Sequence, residues 1–475
     1  MLARTAVLNI VGLTPGTFAR DRAPRLREFA RQCGGVRTHT PPLPAVTCTV
    51  QSTMLTGAPP SEHGIVANGW FDRDYQEVLF WKQSNHLVRG PKVWDRLRAL
   101  AADAGERFTA ANSFWWFNMH GAVEYSVTPR PQYRANGAKV PDCYTRPPEL
   151  RDDLQRSLGT FPLFRFWGPR SGIESTDWIA AAALEIERRW SPTLHVIYLP
   201  HLDYALQQHG PADPRVDAEI REIDRVFDGL HRALAARGVR VVVVSEYGIT
   251  AVDDAVWPNR ILREAGLLAL RVEDGREHLD AGASEAFAVA DHQVAHVHVR
   301  DPSRVAEVEA LLARVPGVER TLSGAARREA GLDHPRSGEI VCVAAPRRWF
   351  AYGWWLDDRR APDYARTVDI HRKPGYDPLE LLFDPARPAV EARAMGALAL
   401  RKAGFRTLLE TVPLDASLIR GSHGRLEESP ADRPVIIADQ ALLPDRELRA
   451  ADVHDAILRA VAGAAGERAA RSPLR

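Results

Sequence analysis

Six short runs along the chain are built almost wholly from Val, Ile, Leu and Ala: residues 6–11, 194–199, 239–245, 286–290, 340–344 and 435–437. Runs of that length, rich in β-branched residues, predict buried strands. Between some of them the period changes. Residues 176–189 space Trp178, Ile179, Ala182, Leu184 and Ile186 as one helical face, and 216–237 forms a second helical stretch. Strands alternating with amphipathic helices predict an α/β protein with a mainly parallel central sheet and helices on both faces. In such sheets reactive groups gather at the carboxyl ends of the strands.

Residues 105–175 break this pattern. The aromatic run Phe114, Trp115, Trp116, Phe117 is followed by Pro129, Pro131, Pro141, Pro147 and Pro148, with few periodic apolar positions. The segment is expected to form an inserted cap over the sheet edge, within a single domain spanning 1–475. An irregular structural loop packed by its aromatics is the alternative.

Composition removes several function classes. The 475 residues carry 62 basic and 61 acidic side chains, so a net charge of +1 offers no general attraction to a nucleic-acid polymer or an anionic membrane. No apolar run approaches the roughly 18 residues of a membrane span. Cys33, Cys48, Cys143 and Cys342 lie far apart, without the C-x-x-C pairs of zinc or redox sites. They read as single buried thiols in a reducing compartment, and a cytoplasmic location is expected.

Candidate chemistry concentrates in residues 41–68. Prolines 41, 42 and 44 keep the chain extended, and a helix can begin near Thr47. A hydroxyl there lies among free backbone N–H groups at the positive end of a helix dipole, where an anion is favoured. A Thr that merely caps the helix has the same signature. Further on come Thr56-Gly57, the turn Pro60-Ser61-Glu62-His63-Gly64-Ile65, and Asn68.

In combination these residues resemble the nucleophile region of the nucleotide pyrophosphatase/phosphodiesterase branch of the alkaline phosphatase superfamily. There a Thr nucleophile precedes Thr-Gly by nine residues, followed by a His-Gly-Ile turn and an Asn. Later landmarks agree in order. Asp203 and Gly210-Pro211 follow the second strand, Ser245-Glu246-Tyr247-Gly248 stands where the family reads Ser-Asp-His-Gly, and Gly421-Ser422-His423-Gly424 resembles its last metal-binding His. The resemblance implies an alkaline-phosphatase-like sandwich and a hydrolase of phosphodiester or pyrophosphate bonds acting on a small phosphorylated substrate. By the same resemblance Thr47 is expected to attack phosphorus and form a phospho-threonine intermediate, and Asn68 to donate to a phosphoryl oxygen.

Departures from the family pattern bear on the metals. The family holds two zinc ions, one by an Asp and two His, the other by two Asp, a His and the Thr. Carried across, the first set becomes Asp203, Gln207 and His423, and the second Val11, Thr47, Glu246 and Tyr247. One imidazole survives among oxygen donors, which suits one or two ions of Mg²⁺, Mn²⁺ or Ca²⁺ better than Zn²⁺. Two Asp-His pairs stand as substitutes: Asp291-His292, after the run 286–290, and Asp369 with His371. An Asp-His pair at a strand end is more often a hydrogen-bonded structural pair than a ligand or a base. The alternative function is that of a catalytically degenerate member, binding a phosphorylated ligand or a partner protein without turnover.

Overall fold

A computed structural model describes residues 2–135 and 138–471. Thirteen strands define its two larger sheets: β1 (Thr5–Ile10), β2 (Arg37–Thr40), β3 (Ala110–Ser113), β4 (Tyr125–Pro129), β5 (Cys143–Arg146), β6 (Leu194–Leu199), β7 (Arg240–Val244), β8 (Ala286–Asp291), β9 (Val294–Val299), β10 (Val318–Ser323), β11 (Ile340–Ala344), β12 (Val435–Ile437) and β13 (Leu448–Arg449). The central sheet has nine strands in the order β13-β2-β12-β7-β1-β6-β3-β4-β5. Its middle, from β7 to β4, is all parallel. β1 and β6 are buried along their whole length, as expected where helices cover both faces.

Six helices matter to the site and its support: α1 (Thr47–Thr56), α2 (Ile173–Trp190), α3 (His201–His209), α4 (Arg215–Ala235), α5 (Val390–Lys402) and α6 (Ala451–Arg471). α2, α3 and α4 pack together as one layer, while α6 packs on α1 and on β1 in the other. α4 shows why it folds as it does: Val216, Ile220, Ile223, Val226, Phe227, Leu230 and Leu234 form one buried stripe. Each such side chain removed from water contributes about 1.5–3 kcal/mol, more than helix propensity supplies over the same turn.

Strand register sets the level of the site. Asn9 lies beside both Tyr198 and Val244, so the chain leaves β1, β6 and β7 at one height. From there it runs into Val11-Gly12, into α3, and into Ser245-Glu246-Tyr247.

The runs at 286–290 and 340–344 belong elsewhere than in the parallel sheet. They are β8 and β11 of a second, antiparallel sheet in the order β8-β9-β11-β10, with its own apolar cluster around Phe287, Val297 and Trp354. β8 and β9 are joined by a two-residue turn, His292-Gln293, in which His292 has φ 57°.

Residues 105–175 also differ from the expectation of a cap. They supply β3, β4 and β5, the edge of the central sheet, together with the start of α2. These strands are short and carry Ser, Asn, Thr and Pro, so they lack the aliphatic runs that mark the others. Trp115 and Phe114 point into the main core.

Backbone packing behind the site is tight at Gly248, where a Cβ would meet the Asp432 carbonyl oxygen at 1.8 Å. Gly229, inside α4, has open space around the same position. Gly248→Ala is therefore expected to lower stability by about 1–3 kcal/mol through overpacking, and Gly229→Ala to raise it by about 1 kcal/mol. Denaturant titration of both variants checks the pair; a harmless Gly248→Ala counts against the close approach.

Candidate active site

Val46 is extended (φ −129°, ψ 156°) and α1 starts at Thr47; Gly57, left-handed at φ 71°, ends the helix. All ten residues of α1 are buried. Thr47 Oγ1 lies 3.0 Å from the Tyr247 hydroxyl, which donates to Asp203 Oδ1 at 3.1 Å. The Tyr247 ring stacks on His423, with centroids 3.7 Å apart and planes at 2°. His423 Nδ1 donates to the Ala45 carbonyl at 2.9 Å, leaving Nε2, 4.0 Å from Asp203 Oδ1, as the nitrogen with a lone pair.

Two further carboxyls complete the floor. Glu246 Oε1 accepts from Asn9 Nδ2 at 2.6 Å and from the Gln51 amide, while the Gln51 oxygen accepts from the Trp116 backbone at 2.5 Å. Asp291 accepts from the Asn68 backbone (2.8 Å), the Asn68 amide (3.1 Å) and the Tyr376 hydroxyl (3.0 Å). Asn68 Oδ1 in turn accepts from the Cys48 backbone at 2.9 Å, which ties α1 to the second sheet. The Asn68 amide also donates to the Tyr376 hydroxyl at 3.3 Å, so both its hydrogens are engaged.

Burial sets the protonation of this cluster. It pushes the Asp203 carboxyl up to about 7, against the pull of the Tyr247 and Gln207 hydrogen bonds. Glu246 is pushed up to about 8, against Gln51 and Asn9, and Asp291 to about 6, against Asn68 and Tyr376. Burial pushes His423 down to about 3, and His292 is lowered by burial and by its neighbour His423. The site is thus assembled from groups held near neutrality by loss of water.

Of the residues singled out in the sequence, Thr47, Asn68, Asp203, Glu246, His423, Asp291 and His292 come together. Asp369 and His371 do not join them. Asp369 pairs with Arg372 at 2.8 Å and with Lys139 at 3.9 Å, and both line a separate cavity. Three participants escaped the sequence reading. Asn9 is the lone polar side chain in the run 6–11, Gln51 falls one turn after Thr47, and Tyr376 follows Pro374-Gly375. The first two carried a signal, as a polar interruption and as helical spacing.

The donor chemistry tests the two-ion arrangement. Among the described residues no three His, Cys, Asp or Glu side chains are grouped as metal ligands. At the second ion's position Val11 is part of the apolar core, the Tyr247 hydroxyl stands between Thr47 and Asp203, and Glu246 is met by two amides. That set does not fit a divalent ion. The first set comes nearer: Asp203 and His423 lie together and the buried Gln207 Oε1 has no hydrogen-bond partner among the described residues, while an ion there would displace the hydrogen bonds that Tyr247 and Gln207 Nε2 donate to the two Asp203 oxygens.

A parallel sheet with a buried Thr helix and acidic groups at the carboxyl ends of β6 and β7 defines an alkaline-phosphatase-like protein. Solved structures agree on the fold. Phosphonoacetate hydrolase from Sinorhizobium meliloti, in complex with phosphonoformate, aligns with a TM-score of 0.58 at 15% identity, covering 95% of this chain and 94% of that one. Murine ectonucleotide pyrophosphatase/phosphodiesterase 5, an inactive form in complex with AMP, aligns at 0.57 and 13% identity, covering 96% and 94%. The family model for type I phosphodiesterase / nucleotide pyrophosphatase matches residues 5–377, and the chain belongs to that family. An uncharacterized pyrophosphatase/phosphodiesterase of Schizosaccharomyces pombe is 23% identical over 261 residues, 53% of this chain and 46% of the relative. An ectonucleotide pyrophosphatase/phosphodiesterase of Caenorhabditis elegans is 23% identical over 274 residues, 55% of this chain and 31% of the relative. The chain thus spans less than half the length of these two relatives. Among the described residues no helix is long and apolar enough to cross a membrane.

Two outcomes are expected. Elemental analysis of protein purified without chelator should find at most one divalent ion per chain; two tightly held zinc ions contradict the donor analysis. Asp291→Ala removes the acceptor of three buried donors and should cost about 3 kcal/mol or more, read as a shift of the denaturant midpoint.

Proposed function

We propose that this chain hydrolyses a phosphodiester or pyrophosphate bond in a small phosphorylated substrate, with Thr47 as the nucleophile. One observation carries the reading: the Thr47 hydroxyl heads a buried helix and is held, through Tyr247, by Asp203. Such a chain fixes the attacking oxygen before substrate arrives and gives its proton a route away. Family membership supports the reaction class.

In the proposed reaction Thr47 Oγ1 forms a bond to phosphorus as the bond from phosphorus to the ester or anhydride oxygen breaks, and that departing oxygen takes up the proton that Thr47 gives, by way of Tyr247, to Asp203. The Thr47 proton passes to the Tyr247 oxygen as the Tyr247 proton moves onto Asp203. Water then cleaves the phospho-threonine and restores the hydroxyl. A phosphoryl oxygen would take the Asn68 amide hydrogen that Tyr376 accepts at 3.3 Å. A single divalent ion, of the Mg²⁺, Mn²⁺ or Ca²⁺ type, would be held by Asp203, Gln207 and His423 and would supply Lewis-acid charge at the phosphoryl group.

A second reading has its own support. The Glu246 donors and the Tyr247 bridge close the space of the second ion, as in a member that binds phosphorylated ligands without turnover.

Turnover of bis(4-nitrophenyl) phosphate, with Mg²⁺, Mn²⁺ or Zn²⁺ added, separates the two. Thr47→Ala should lose about a thousandfold or more in kcat, while Thr47→Ser retains measurable activity. Acid-quenched wild type should carry phosphate on the peptide containing Thr47. Binding of the diester by calorimetry with no turnover under any metal would favour the second reading.

A further inference from the structure

An open cavity of about 350 Å³ is lined by Arg276, Asp358, Arg359, Arg366 and Arg387. These residues come from four places: the hairpin strand Arg276–Leu279, the single turns Asp358–Arg360 and Asp363–Arg366, and the chain at Arg387. None of them belongs to the cluster around Thr47. Basic and acidic side chains balance over the whole chain, 62 against 61, so a lining of four Arg to one Asp is a local arrangement.

Cations brought together need compensation, and here most of it stands behind the cavity wall. Arg359 is gripped by Asp357, with Nε 3.0 Å and Nη2 2.7 Å from its carboxylate. Arg366 Nη1 donates to Asp384 Oδ2 at 2.9 Å, and Arg387 Nη1 donates to Glu410 Oε2 at 2.8 Å. Asp357, Asp384 and Glu410 are not part of the lining. Each holds one edge of a guanidinium and leaves other N–H groups of that fork without a partner among the described residues. Arg276 differs, since its Nη1 donates to the carbonyls of Arg359 (3.2 Å) and Ala361 (3.1 Å) and it forms no ion pair among the described residues. Asp358, the one carboxylate in the wall, already accepts from the Trp355 indole N–H at 3.1 Å and lies 3.9 Å from Arg260.

This lining selects a ligand class. Guanidinium forks match the oxygens of phosphate, and forks already fixed by carboxylates lose little freedom when a ligand arrives. The spare donors sit on separate segments, so a single phosphoryl group can satisfy only part of them, whereas linked phosphoryl groups can span them. The wall holds no aromatic or aliphatic residue on which a base or an acyl chain could rest. We propose that this cavity is an anion site, apart from Thr47, for a short chain of linked phosphoryl groups such as a di- or triphosphate. It stands whether or not the Thr47 site turns over a substrate.

Calorimetry of the full Thr47→Ala chain, in chelator and low salt, with orthophosphate, pyrophosphate and triphosphate as probes, tests it; the substitution keeps the probes from being consumed. Affinity should rise at least about tenfold from orthophosphate to triphosphate and weaken as salt is added. Arg276→Gln breaks no ion pair, and Arg359 is 87% exposed, so Arg276→Gln and Arg359→Gln should leave the ligand-free denaturant midpoint unchanged. Each should weaken triphosphate by about tenfold. Arg276→Lys, which keeps the charge and loses the fork, should fall between wild type and Arg276→Gln. Absence of triphosphate binding overturns the proposal, as does binding that both Gln variants retain. So does orthophosphate or citrate bound as tightly as triphosphate, or ATP bound tenfold more tightly than triphosphate, since this wall gives a base nothing to rest on.

Discussion

A carboxyl group taken out of water must meet hydrogen-bond donors or a cation, and three of them lie at the centre of this protein. Asp203, Glu246 and Asp291 are buried, and none forms an ion pair with Lys or Arg among the described residues. Their partners are amides and phenols: Gln207 and Tyr247 for the first, Asn9 and Gln51 for the second, Asn68 and Tyr376 for the third. Neutral donors of this kind stabilise a buried carboxyl with far less desolvation than a second charge would bring. Each of those donors comes from a different local element, so satisfying the carboxyls fixes β1, α1, α3 and the chain around Tyr376 relative to one another.

The same requirement explains how two sheets come to share one site. The central sheet contributes the ends of β1, β6 and β7, all parallel and level. The antiparallel sheet contributes only the tip of the β8–β9 hairpin, where Asp291 ends a strand and His292 adopts a left-handed backbone. Such conformations persist where surrounding contacts over-determine them. Here the contacts are the Phe350 N–H on the His292 carbonyl at 2.7 Å and the Gln293 N–H on the His423 carbonyl at 2.9 Å.

Much of this was legible before any coordinates. Apolar runs located β1, β6, β7, β8, β11 and β12 because those strands are buried on both sides and need no alternation. Motif spacing located Thr47, Asn68, Asp203, Glu246 and His423, because each stands where a strand or helix end puts it. The strands between residues 110 and 146 were not legible, since Ser113, Asn112 and Thr128 read as loop residues and their burial depends on tertiary contacts. Asp369 and His371 matched a pattern of residue types, but Lys139 and Arg372 compete for Asp369, and nothing local in the sequence announces those partners. Tyr376 was missed for the same reason: its role exists only once Asp291 is beside it.

One contact has a consequence in time. The Ala45 N–H and carbonyl, which lead into the nucleophile helix, bond to Gly424 and His423, and the Ala45–His423 pair is separated by 378 positions. At about 5–20 residues per second, a ribosome makes Ala45 some 20–75 s before His423. During that interval Tyr247 has no imidazole to stack on, and the approach to α1 has no partner for its backbone. A nascent chain can build β1, β6 and β7 before then, but the arrangement around Thr47 waits for a contact made 378 positions later.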